Sequence, residues 1–181
     1  MEWAAAMDEL ALIRDAAAAG EWWRLWTGHL VHTGVGHLGW NLTALSILGF
    51  AAFRTGLVRA AFIYLVLSMP LISGGLLLLL PALQWYAGLS GVLHGLVALI
   101  LIARPARVAW LGLGLLAAKL VVEAAGAWPV PAGRYPVVTE AHALGFAFGL
   151  VAGLSHIYFS RRPRGSLPAK SGAASRTDWA A

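Results

Sequence analysis

The sequence predicts an all-α, polytopic membrane helix bundle, on three observations. Of its 181 residues 60% are hydrophobic and only 12% charged. That is about half the charge usual for a soluble domain, so lipid must cover part of the surface. Five apolar stretches follow one another, each close to the roughly 20 residues a helix needs to cross a bilayer. Arginines collect at alternate connections between them, as in chains oriented by the positive-inside rule.

Residues 1–26 form a mixed segment and the start of a first loop. Asp8, Glu9, Arg14, Asp15, Glu21 and Arg24 interrupt any apolar run, so it reads as neither a spanning helix nor a signal peptide. The membrane domain is expected over 27–160, with spans near Val35–Phe53, Ala60–Leu80, Tyr86–Ala103, Val108–Ala127 and Thr139–Phe159. Residues 161–181 are basic and rich in Gly, Ser, Pro and Ala, the composition of a disordered tail. Arg54 and Arg59 flank the first connection, Arg104 and Arg107 the third, and Arg161, Arg162 and Arg164 follow the last span. Five crossings place all three on one side, predicted cytoplasmic together with the C-terminus. The opposite side carries Trp22, Trp23, Trp26, Trp85, Trp128 and Tyr135 as interface anchors, with Arg24 and Arg134 its only cations. The net charge of +5 is therefore read as membrane orientation, not nucleic-acid binding. With no Cys, disulfides, cysteine–zinc sites and thiol nucleophiles are excluded.

Polar side chains within spans are costly and mark function. His37 and Asn41 lie near the outer start of the first stretch, Ser90 and His94 of the third, Glu140 and His142 of the fifth. Three spans thus bring a hydroxyl, an amide and imidazoles to one depth. Ser90 follows Gly88-Leu89 and precedes Gly91, where a loop becomes a helix whose free N–H groups suit a developing oxyanion. Gly145, Gly149 and Gly153 share a stripe with His142, and Gly91, Gly95 and Ala98 lie beside Ser90. Such small-residue stripes permit close helix packing, and if they face each other His142 reaches Ser90. A serine needs a base to become a nucleophile, and His142 can take its proton and later protonate the leaving amine. His37 and Asn41 are candidate oxyanion donors. No third acid is evident: Glu140 is two residues from His142 and points elsewhere on a helix. Lys119 and Glu123, at i, i+4, are expected to pair with each other.

These residues resemble the rhomboid family of intramembrane serine proteases. Trp23-Arg24, His32, His37 and Asn41 are similar to its first-loop and second-helix pattern, and Gly88-Leu89-Ser90-Gly91 to its GxSG nucleophile motif. Ala141-His142 with Gly145 and Gly149 is similar to its catalytic-histidine helix, and together these motifs span roughly residues 22–155. The run GLSGVLHG is closer to rhombosortases, the bacterial branch that processes C-terminal Gly-Gly-type sorting tails. The resemblance implies a Ser90–His142 dyad, with oxyanion stabilisation by His37, Asn41 and Ser90 and support from His94, Gly88, Gly91 and Gly145. His94 stands where many rhomboids carry an aromatic residue that packs on the catalytic histidine. The resemblance further implies a bacterial inner-membrane enzyme with no cofactor and no metal. Its active site would face the periplasm, and its substrates would be exported proteins held by a C-terminal membrane tail. The rhomboid core has six helices, and the first is the one this chain is expected to lack.

Two alternatives stand beside this reading. One is a catalytically inactive rhomboid-like protein that binds membrane segments without cutting them, against which the retention of Ser90 and His142 argues. The other is a small metal-binding transporter. The six His invite metal, but only His29, His32 and His37 cluster in sequence, and no inverted halves are visible.

Overall fold

The structure, a computed structural model, describes residues 7–104, 106–127 and 137–161. In chain order the elements are β1 (Leu12–Ile13), α1 (Arg14–Ala18), α2 (Arg24–Thr27), α3 (Val35–Thr55), α4 (Val58–Leu79), β2 (Trp85–Tyr86), α5 (Ser90–Ala103), α6 (Arg107–Ala124) and α7 (Thr139–Arg161). Five long helices thus coincide with the five apolar stretches. Of these α3, α4 and α7 are long and apolar enough to cross a membrane by length and composition; α5 is apolar but has only 14 residues. The anchors Trp128 and Tyr135, Arg134 and residues 162–181 lie outside the described residues.

Helix α5 is the axis of the bundle and touches all four other long helices. Its apolar side chains Val92, Leu93, Leu96, Leu99, Ile100 and Ile102 are buried. The outer helices turn Phe50, Phe53, Phe62, Leu78, Leu111 and Phe159 outward, as a bundle solvated by lipid must. The tightest pairing is between α5 and α7. A Cβ at Gly145 would run into the Gly91 carbonyl, and one at Gly149 into the Gly95 carbonyl. Only residues without side chains let the two backbones approach this closely.

Two short strands correct the expected start of the third stretch. Tyr86 was expected to open the span; instead Leu12 pairs with Tyr86 and Ile13 with Trp85 in an antiparallel ladder, and the helix begins at Ser90. The backbone turns at Gly88, whose φ of 132° is a conformation that side chains disfavour. Its N–H donates to the Gly28 carbonyl at 3.0 Å.

The loop before α3 is held by side chains that answer exposed carbonyls. Arg14 donates to the Leu80 and Leu83 carbonyls just past the end of α4. Buried Arg24 donates to the Asp8 and Ala11 carbonyls and pairs with Glu21 at 2.6 Å. Pro70 interrupts α4 and has no N–H for the Val66 carbonyl one turn back. The Trp26 indole N–H donates to that carbonyl at 3.0 Å. His29 is fully buried, with its Nε2–H donating to the Met69 carbonyl at 2.9 Å. Burial pushes its pKa down to about 4, so it stays neutral in the fold.

At the opposite end of the bundle Gly56 closes α3 in the left-handed conformation. Arg104 donates to the Thr55 carbonyl at 2.6 Å. The first and third connections therefore meet, and the basic residues around them share one end.

Candidate active site

Four helix ends converge opposite that basic end: the starts of α3, α5 and α7 and the end of α6. Ser90 is the first residue of α5, so its own N–H and the next two have no carbonyl one turn back to bond. His142 lies in the first turn of α7 and is buried. The α5–α7 glycine contact sets the depth of both, and Gly91 is the residue pressed against Ala141. The Ser90 Oγ–H donates to His142 Nε2 at 2.9 Å, within ordinary hydrogen-bond range.

The rest of the network fixes the tautomers. His142 Nδ1 lies 3.0 Å from Glu123 Oε2; a carboxylate only accepts, so Nδ1 carries the proton and Nε2 is free to accept from Ser90. Lys119 Nζ donates to Glu123 Oε1 at 2.6 Å and to His94 Nε2 at 2.6 Å. His94 Nδ1–H donates to the Ser90 carbonyl at 2.7 Å. The rings of His94 and His142 stack, with centroids 4.1 Å apart and planes inclined by 14°. Every polar atom in this circuit has a compatible partner.

The Lys119–Glu123 pair expected from the sequence is present, but it is only half of what Glu123 does. Where the sequence offers no third acid, the structure supplies one: the Glu123 carboxylate has two oxygens, and the second accepts from His142. Its depth was a readable signal, because Glu123 ends a helix that starts at the basic end and so lies level with Ser90 and His142. The structure also joins His94, Glu123 and His142, whose ligating atoms lie within 4.8 Å of one another, although their sequence spacing did not suggest a metal cluster. The Lys119 ammonium donates to Glu123 Oε1 and to His94 Nε2, and so already sets a positive charge between two of these three residues.

His37 lies at the start of α3 with its ring against Gly88. A Cβ on Gly88 would fall 3.0 Å from His37 Cε1 and 3.9 Å from Ser90 Oγ, so the absence of a side chain there opens the space between imidazole and hydroxyl. His37 Nδ1 lies 3.2 Å from Thr33 Oγ1, leaving Nε2 on the Gly88 side. Asn41 is buried and its amide donates to the His37 carbonyl at 3.1 Å, so it is joined to His37 rather than directly to Ser90. His32 stacks edge-on to His37 with centroids 5.1 Å apart. Its Nδ1–H donates to the Leu30 carbonyl while its buried Nε2 meets no partner among the described residues. Glu140 is exposed, and among the described residues the His142 ring nitrogens bond to Ser90 and Glu123 instead.

Sequence comparison assigns the chain to a family. Residues 19–159 match the Rhomboid domain. A comparison with curated proteins gives no match. The matched span contains the later part of the loop before α3, α3 to α6 entire, α7 as far as Phe159, and every residue of the circuit around Ser90. The chain belongs to the rhomboid family, a family of multi-pass intramembrane proteases.

Proposed function

We propose that the chain is an active intramembrane serine endopeptidase with Ser90 as nucleophile and His142 as general base. One observation carries the reading: a hydroxyl and an imidazole 52 residues apart, on different helices, meet at 2.9 Å with the imidazole in the accepting tautomer. In the reaction Ser90 Oγ attacks the scissile carbonyl carbon and its proton passes to His142 Nε2. The tetrahedral oxyanion is held by the N–H groups opening α5 and by the His37 ring, with Asn41 fixing the helix turn from which His37 projects. Collapse breaks the C–N bond as His142 protonates the departing amine. Water then enters by the same route in reverse and releases the acyl group.

The short central helix supports chemistry below the membrane surface. Fourteen residues span about 21 Å, less than the ~30 Å hydrocarbon layer, so a helix reaching one boundary starts well inside the other. The basic end formed by Arg54, Arg59, Arg104, Arg107 and Arg161 supports a cytoplasmic placement for that end and a periplasmic one for Ser90, in a bacterial inner membrane. For the substrate, the GLSGVLHG run supports exported proteins bearing a C-terminal Gly-Gly-type membrane tail. The inactive alternative is disfavoured by the intact hydrogen bond between Ser90 and His142.

The test uses purified protein in liposomes with a membrane-anchored reporter ending in a Gly-Gly-type tail. Cleavage by the wild type and none by Ser90→Ala or His142→Ala is expected. Cleavage that persists in Ser90→Ala refutes the assignment.

A further inference from the structure

We propose that Glu123 is a positioning residue for His142, making the site a carboxylate-assisted triad, and that Lys119 and His94 lock it in place. The inference rests on reading Ser90 and His142 as the catalytic pair. Its basis is the closed circuit: Ser90 Oγ to His142 Nε2 at 2.9 Å, His142 Nδ1 to Glu123 Oε2 at 3.0 Å, Glu123 Oε1 to Lys119 at 2.6 Å, Lys119 to His94 Nε2 at 2.6 Å, and His94 Nδ1 back to the Ser90 carbonyl at 2.7 Å.

Each member has a distinct task. An acceptor at Nδ1 keeps the proton there and leaves Nε2 bare, the only tautomer that can deprotonate Ser90. When the Ser90 proton moves to Nε2, His142 becomes an imidazolium whose new charge lies 3.0 Å from a carboxylate. Glu123 itself takes no proton. A lone carboxylate at membrane depth is costly, and the Lys119 ammonium one turn away offsets it. His94 stacks on the His142 ring and ties the Lys119 end of α6 to the first turn of α5. The imidazole is thereby fixed from its edge by Glu123 and from its face by His94. Lys119 approaches as a donor, so His94 is held as an acceptor and cannot compete for the Ser90 proton by the same nitrogen.

The test uses the full chain and a fluorophosphonate probe, separating the maximal phosphonylation rate from the probe concentration giving half that rate. Glu123→Gln keeps the shape but lets the amide present its NH₂ to Nδ1, which favours the wrong tautomer. The maximal rate is expected to fall roughly 10²–10⁴-fold while the half-saturating concentration changes less than about twofold, because probe binding is untouched. Glu123→Asp, which retains a carboxylate, should recover more of the maximal rate than Gln does. A double variant, Lys119→Met with Glu123→Gln, leaves no stranded ammonium and covers the case in which the single variant fails to fold; it should show the same loss. A wild-type maximal rate in either Gln-containing variant, with Ser90→Ala unlabelled, overturns the role of Glu123 alone. Labelling that survives Ser90→Ala overturns the catalytic pair and this inference with it. One tightly held metal ion per chain, with labelling abolished by a chelator, also overturns it, because Glu123 and His94 would then be ligands.

Discussion

Substituting Gly91 by Ala tests how tightly the α5–α7 contact sets the chemistry. A Cβ on Gly91 would lie 2.7 Å from the Ala141 carbonyl oxygen, 3.0 Å from its carbonyl carbon and 3.2 Å from its Cβ. Ordinary contact begins at 3.4 Å, so the helices must part by about 0.7 Å at this level. Two of the three obstacles are backbone atoms and cannot rotate away. The residue displaced is the one immediately before His142. Added to the 2.9 Å between Ser90 Oγ and His142 Nε2, that displacement gives about 3.6 Å, beyond useful hydrogen-bond range. Overpacking of this kind costs about 1–3 kcal/mol of stability, and a misplacement near 1 Å costs on the order of 100-fold in rate. The expected outcome is a folded protein with a modestly lower Tm in detergent and a cleavage rate reduced ~100-fold. Ala141→Gly in the Gly91→Ala background should not restore activity, since it removes the Cβ obstacle but not the carbonyl. Wild-type cleavage and Tm in Gly91→Ala would refute the idea that backbone contact sets the Ser90–His142 distance.

Three further outcomes follow from the first loop. His29 is neutral in the fold with its pKa lowered from 6.5 to about 4. Its contribution to stability is therefore complete above pH 6.5 and lost as pH falls towards 4, by up to about 3 kcal/mol at 1.36 kcal/mol per unit. Tm measured between pH 7 and 4.5 should fall more steeply in the wild type than in His29→Gln, and parallel curves would contradict this. Arg24→Met strands the Asp8 and Ala11 carbonyls and Glu21, and should lower stability by about 2–4 kcal/mol in chemical denaturation, with faster proteolysis of the loop. Trp26→Phe removes the donor to the Val66 carbonyl freed by Pro70, and should cost about 1 kcal/mol; Trp26→Phe combined with Pro70→Ala, which restores an N–H to that carbonyl, should cost less than Trp26→Phe alone.

The helical architecture is legible because apolar length is a one-dimensional signal: the apolar stretches begin or end at Val35, Ala103 and Thr139, and so do the helices. The start of the third helix was not, because Trp85 and Tyr86 are as apolar as the helix they precede, and their strand partners Leu12 and Ile13 lie some seventy residues away. The approach of Ser90 to His142 could be anticipated from Gly91, Gly145 and Gly149, since small residues at helical spacing on two polar-tipped apolar stretches favour close packing of the two helices. Glu123 was hidden by its own neighbour. Lys119 at i−4 gave the carboxylate a complete local explanation, and nothing local reports that its second oxygen faces another helix. His29 and Trp26 were hidden for a related reason: the carbonyls they serve, Met69 and Val66, become available only when the loop folds against α4.

The most direct measurement of the central claim is mass-spectrometric mapping of a fluorophosphonate adduct on the intact protein. The account predicts a single adduct on the peptide containing Ser90, with none formed when His142 is replaced by Ala. An adduct elsewhere, or one formed at Ser90 at an undiminished rate without His142, would contradict it.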